Sequence, residues 1–315
     1  MKRYFYILAA LLASACSEGI VPDIPGAETM LCLSGTLNTS DTLHTLYASY
    51  SRRADALAAS GARVRCYIDG ELQDVGTVGE DGKVALRADI CPGDSVRFVA
   101  ESDAPVATAD LNVLPAARFE LLSHEIKDGR LLLGCRLWDD PEKDNFYKLD
   151  ISLERTDTVV LYGGHVVTRT EHADLNTAFS DSPVVNGNSF RIFSDGTFSG
   201  ASIPLCAKLY DGYLRDRARN SWRSNMVSRM NIVMKIYSLD IQDYWTSVIL
   251  SGSLWGGALD PSETWGDFGI PDIYPCNVSG GVGLVSVRTV TSIILPYSLM
   301  TVDQDDNVAM TYYLD

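Results

Sequence analysis

Hydrophobic and polar residues alternate in short runs along most of the chain. In residues 62–69 (ARVRCYID), Val64, Cys66 and Ile68 fall on one face and Arg63, Arg65 and Tyr67 on the other. A period of two is that of a strand with one covered face. Residues 30–37, 83–88, 95–101 and 107–114 form further strand-like runs, separated by turn signals at 80–82 (EDG) and 91–94 (CPGD). Gly82 is free to take the positive φ that a tight hairpin turn requires. Short strands at this spacing predict an immunoglobulin-like β-sandwich over residues 29–117.

The tripeptide PAA at 115–117 marks a domain boundary. Beyond it, residues 118–315 predict a second β-rich domain, with strands at 131–138, 146–154, 158–162, 190–193, 203–209 and 227–238. One segment breaks the period of two. In residues 240–250 (DIQDYWTSVIL), Ile241, Tyr244, Trp245, Val248 and Ile249 share one face of an amphipathic helix. Asp240 can accept from its first amide groups, and Asp243 adds negative charge at the positive end of the helix dipole. The apolar face is expected to pack on a sheet. The fold class is therefore mainly β, with two β-rich domains and one helix.

The N-terminus changes the picture by adding a membrane. Residues 1–16 (MKRYFYILAALLASAC) carry Lys2 and Arg3, a short apolar stretch, then small residues leading into Cys16. Such a segment is a secretory signal, too short to span a bilayer stably. Its small-small-Cys ending resembles the lipobox of bacterial lipoproteins, which implies cleavage after residue 15 and a diacylglycerol thioether on Cys16. Residues 16–28 are polar and bear Pro and Gly, as a tether should. No later stretch is long and apolar enough to span a bilayer, so the lipid is the expected membrane anchor.

Composition narrows the function classes. With 46% hydrophobic and 21% charged residues, the chain has a folding rather than a disordered composition. Its 41 acidic residues against 26 basic ones argue against a nucleic-acid binder, which needs a basic face. Four histidines are present, and none forms H-E-x-x-H; there is no nucleophile elbow, phosphate loop or dinucleotide fingerprint. No catalytic residues and no enzyme activity are expected. His165 and His172 fit a loop or edge strand better than a metal pair. The glycines of 280–283 (GGVG) fit close backbone packing beside a strand.

Several clusters remain as binding candidates. Asp139, Asp140, Glu142 and Asp144 crowd one loop, where hard oxygen ligands could hold Ca²⁺ or simply form a solvated turn. Arg215, Arg217 and Trp222 lie in RDRARNSWR, an arginine-rich loop in an acidic protein; the alternatives are a partner contact and a solvated loop. Trp255, Trp265 and Tyr274 lie in a Gly/Pro-rich stretch too long for a plain connection. These aromatics could stack on sugars, insert into a partner or cover a sheet edge. With Cys16 lipidated, Cys32, Cys66, Cys91, Cys135, Cys206 and Cys276 remain. Six cysteines allow 15 connectivities, and the sequence does not choose among them.

Five segments in order carry a resemblance: PGDSVRFVAES at 92–102, WDDPEKDNFYKL at 138–149, IFSDGTFSG at 192–200, SLDIQDYW at 238–245 and NVSGGVGLV at 277–285. Together with the lipobox they resemble the Bacteroidetes lipoproteins grouped as domain of unknown function 4249, over roughly residues 29–297. Cys276, and the valine at 278, depart from that pattern. The resemblance implies an outer-membrane lipoprotein, facing either the periplasm or the exterior, that works beside a TonB-dependent β-barrel transporter. The expected function is non-enzymatic, as a ligand-binding protein or transporter accessory. A glycan-binding module, tested by Trp255→Ala or Trp265→Ala, and a hydrolase of unrecognised pattern are the alternatives. No cofactor is implied beyond the acyl chains.

Overall fold

A computed structural model describes residues 29–51, 57–128, 130–138, 144–174, 178–179, 192–194, 202–210, 226–250, 276–302 and 308–312. It is mainly β, as the alternation predicts. The N-terminal strands are β1 (Leu31–Asn38), β2 (Leu43–Tyr50), β3 (Leu57–Ala58), β4 (Arg63–Ile68) and β5 (Glu71–Thr77). They continue with β6 (Lys83–Arg87), β7 (Ser95–Glu101) and β8 (Ala107–Asn112). Next come β9 (Arg118–Lys127), β10 (Arg130–Trp138), β11 (Phe146–Val160), β12 (Val166–Asp174) and β13 (Ala178–Phe179). β14 (Ile192–Ser194), β15 (Ser202–Tyr210) and β16 (Met226–Leu239) precede the helix α1 (Ile241–Leu250). β17 (Val278–Ser279), β18 (Val285–Val302) and β19 (Val308–Tyr312) end the described chain.

Among the described residues three sheets result. The largest runs β12-β11-β16-β18-β1-β2-β3, with β14 on β11, β19 on β18 and β6 on β2. The others run β13-β15-β10-β9 and β17-β8-β7-β4-β5. Strand pairs are antiparallel except β1 with β18, whose register sets Gly35 opposite Val285.

Alternation fills two cores. In β4, Val64 and Cys66 point inward, and in β7, Val96, Phe98 and Ala100 do so; they meet Leu31, Leu33, Leu46, Val84 and Leu86 from the large sheet. In the second core, Leu131, Leu133 and Leu137 of β10 meet Leu149, Ile151 and Leu153 of β11 and Ile232, Met234 and Ile236 of β16. Each fully buried aliphatic side chain contributes about 1.5–3 kcal/mol relative to exposure.

β18 links both cores. Its first part gives Val285 and Val287 to the first core, and its later part gives Leu295 and Tyr297 to the second. Residues 29–117 therefore supply most of the first core, and Val278, Val285 and Val287 complete it. Pro296 is accommodated at a register shift opposite Asn231, beyond the stretch of β18 that β1 pairs. Proline is tolerated at such irregular or half-free positions because it has no amide hydrogen to donate.

The glycine run before β18 does pack tightly. A Cβ at Gly281 would collide with the carbonyl oxygen of Leu31, and one at Gly283 (φ +120°) with that of Leu33. Gly82 has φ 78°, as its turn requires.

Two expectations need correction. The strands read at 146–154 and 158–162 are one continuous strand, β11. The helix forms where expected, and Asp240 Oδ1 accepts from the amides of Gln242 and Asp243 at 2.8 Å each. Its orientation differs: Ile241 and Trp245 are exposed, whereas Asp243 is buried. The physical reason is Arg288, which draws the Asp243 carboxylate toward the sheet.

Candidate functional site

Most candidates drawn from the sequence, Cys16, Arg215, Arg217, Trp222, Trp255, Trp265, Tyr274, Asp139 and Asp140, lie outside the described residues. Asp144 is exposed at the start of the segment leading into β11. Among the described residues no group of three His, Cys, Asp or Glu side chains could hold a metal ion. The described histidines are dispersed. His44 is buried with Nε2 3.1 Å from the Ala88 carbonyl, and His172 sits on β12, 3.9 Å from Glu154. Cys32, Cys66, Cys91, Cys135 and Cys276 are free thiols. Burial pushes the Cys66 thiol up to about 11, which suits a small core hydrophobe rather than a nucleophile.

Two polar clusters stand out. The first fastens α1. Arg288 Nε and Nη2 donate to the two oxygens of Asp243 at 2.7 Å each, and Nη2 also donates to Ser247 Oγ at 3.0 Å. Burial lowers the basicity of Arg288, but its bonds to Asp243 outweigh that and hold the guanidinium protonated. Tyr244 completes the contact by packing on Phe146, ring centroids 4.5 Å apart.

The second cluster underlies the β11–β12 hairpin. The two strands pair from Ser152 opposite Asp174 to Val160 opposite Val166. The turn is closed by Leu161 N donating to His165 O at 2.7 Å, with Gly163 and Gly164 at positive φ. Toward the sheet, Arg155 lies 3.1 Å from Asp157 and 2.7 Å from Glu171, and Arg169 lies 2.8 Å from Glu171. Ser228 Oγ donates to the buried Asp157. The inward row of β11 thus turns from Leu153 to Arg155 and Asp157: the apolar core stops and a charged girdle begins.

Past the girdle lies the hairpin's tip. Among the described residues the last β11–β16 pair is Val159 with Met226. The tip carries Val160, Leu161, Tyr162 and Val166, all exposed; Tyr162 reaches 106% of its reference exposure and Val166 61%. Scattered exposed apolar residues are ordinary; here four gather at one hairpin tip, Val160 lying opposite Val166. The tip also lies far from the N-terminal end of the fold. Gly35 pairs with Val285 at the start of β18, and the strand opposite β11 meets Thr301 near its end. Sixteen residues of strand separate these positions, roughly 50 Å at about 3.3 Å per residue.

Nothing in the sequence separated this tip from an ordinary strand end. Its apolar residues were visible at 158–162, but no local pattern separates exposed from core-facing ones there.

No family model matches the chain, and no curated protein matches it. Among solved structures, a Corynebacterium diphtheriae protein described as membrane anchored aligns at 8% identity with a TM-score of 0.20. The alignment covers 66% of this chain and 54% of that one. A similarity this low carries no argument about fold or function. No helix among the described residues is long and apolar enough to cross a membrane.

Proposed function

We propose that the chain is a lipid-anchored cell-envelope protein that works by binding rather than catalysis, and that the β11–β12 tip is its docking element for a protein partner. The carrying observation is that tip: four exposed apolar side chains on a hairpin whose strands are cross-linked by the Arg155–Asp157 and Arg155–Glu171 ion pairs. Cross-linking of this kind limits the ordering cost that weakens flexible binders. The lipobox reading of Cys16 supports tethering through residues 16–28, which enter the fold at β1. A tether there leaves the tip at the far end, free to meet a neighbour. The resemblance to Bacteroidetes lipoproteins suggests an outer-membrane β-barrel transporter as that neighbour.

The test is affinity isolation of the full chain from native membranes. Leu161→Asp with Tyr162→Asp should abolish recovery of a β-barrel partner while the chain stays folded and membrane-bound. Undiminished recovery would refute the docking role. Cys16→Ala should release the chain from membranes; retention would refute the anchor.

A further inference from the structure

The β11–β12 hairpin has a second surface, its open backbone edge. β12 is the terminal strand of the large sheet, and among the described residues its only strand partner is β11. The closing bond from Leu161 N to His165 O fixes 161/165 as a hydrogen-bonded pair. Alternation in an antiparallel ladder then turns the odd-numbered amides of β12 toward β11. The amides and carbonyls of Val166, Thr168, Thr170, His172 and Asp174 point outward.

An edge of nine residues is ordinarily guarded by proline, lysine or a bulge. β12 (VVTRTEHAD) has no proline or lysine, and its register with β11 is unbroken. Its two central charges are of opposite sign, two residues apart: Arg169 and Glu171.

That spacing selects one occupant. We propose that β12 pairs antiparallel with β12 of a second copy, joining two large sheets across a two-fold axis at Thr170. In this register Thr170 faces Thr170 as a hydrogen-bonded pair, and Thr168 faces His172. Arg169 of each copy then lies opposite Glu171 of the other, in the closer non-hydrogen-bonded positions, where opposite charges attract best. Neighbouring symmetric registers fail. Centring on Arg169 sets arginine against arginine, and centring on Glu171 sets glutamate against glutamate. The charge pattern therefore favours a self-complementary C2 contact over a slipped one. This inference does not depend on what binds the apolar tip.

The test is the oligomeric state of the detergent-extracted full chain, measured by sedimentation velocity. The wild type should be dimeric. Thr170→Pro removes only an outward amide, so the β11–β12 ladder survives and the dimer should disappear. Arg169→Glu creates two like-charge pairs and should weaken the dimer by about tenfold or more. Mixing Arg169→Glu with Glu171→Arg chains should restore it as a heterodimer, because both cross pairs are again opposite in sign. Glu171 also pairs with Arg155, so circular dichroism checks each variant, and Thr170→Pro remains decisive if Glu171→Arg does not fold. A monomeric wild type, a dimer that survives Thr170→Pro, or capture of a different protein's strand along this edge would overturn the proposal. The tip variant Leu161→Asp/Tyr162→Asp should stay dimeric, which separates this contact from the partner contact.

Discussion

Removing the Asp243 carboxylate is the sharpest stability perturbation. The Arg288 and Asp243 side chains are 15% and 3% exposed, and the guanidinium spends two of its donors on the carboxylate. Asp243→Ala strands a largely buried cation. Breaking one side of a buried pair costs about 3–5 kcal/mol, because desolvation remains after the attraction is gone. Ser247 still accepts one bond from Arg288, and the residual exposure lets water reach the group, so about 3 kcal/mol is expected. Asp243 also precedes most of α1, and loss of negative charge there adds about 0.3–1 kcal/mol in the same direction. Replacing both partners, Asp243→Leu with Arg288→Met, should recover most of the loss, since no buried charge is left unpaired. Urea unfolding gives the midpoint shifts, and hydrogen exchange of residues 241–247 shows whether the helix detaches locally before the sheets unfold. A loss below about 1 kcal/mol for Asp243→Ala, or a double variant worse than the single one, would refute a clasp role for this pair.

Further outcomes are expected from the same geometry. Gly283→Ala forces a side chain into φ +120° and onto the Leu33 carbonyl, so it should destabilise the first sandwich by about 2–4 kcal/mol in thermal unfolding; a neutral result would contradict the close approach. Maleimide at pH 8 should label the exposed Cys91 and Cys276 well before Cys66, whose thiol burial holds near 11; equal labelling would mean the first core opens readily. The Asp74 carboxylate is held below its ordinary value by amide donation from Arg87 and Val75. A depressed value stabilises the fold above the unfolded pKa and loses that contribution as pH falls through the folded one. Asp74→Asn should therefore lower stability at pH 7 and have no effect near pH 2; a deficit that persists in acid would point to packing instead.

The alternating strands were legible because each buries one face. β4, β6, β7 and β10 appear where the period of two set them, and the boundaries agree closely. β18 was not legible. It serves two cores in succession, and between Val287 and Leu295 the same row carries Thr289 and Thr291, which donate to the Leu114 and Ala117 carbonyls, so the apolar alternation lapses. Bulging near Pro296 then shifts the phase. β12 escaped notice for a different reason: both its faces are largely solvated around the tip, so Thr, Arg and Glu interrupt any apolar pattern. The helix was legible in extent but not in orientation. Its buried face is set by Arg288, 45 residues away in sequence, which no local periodicity can register. The candidate surface shows the same limit. Apolar character at 158–162 was plain, while its exposure is a tertiary property that no local pattern records.

Under the proposed function, a partner binds the apolar tip at the end opposite the tether. Affinity isolation of the full chain from native membranes, wild type against Leu161→Asp/Tyr162→Asp, tests it most directly. A β-barrel protein should be recovered with the wild type and lost with the variant, at equal levels of folded, membrane-bound chain. Equal recovery with both, or no β-barrel partner with either, would contradict it.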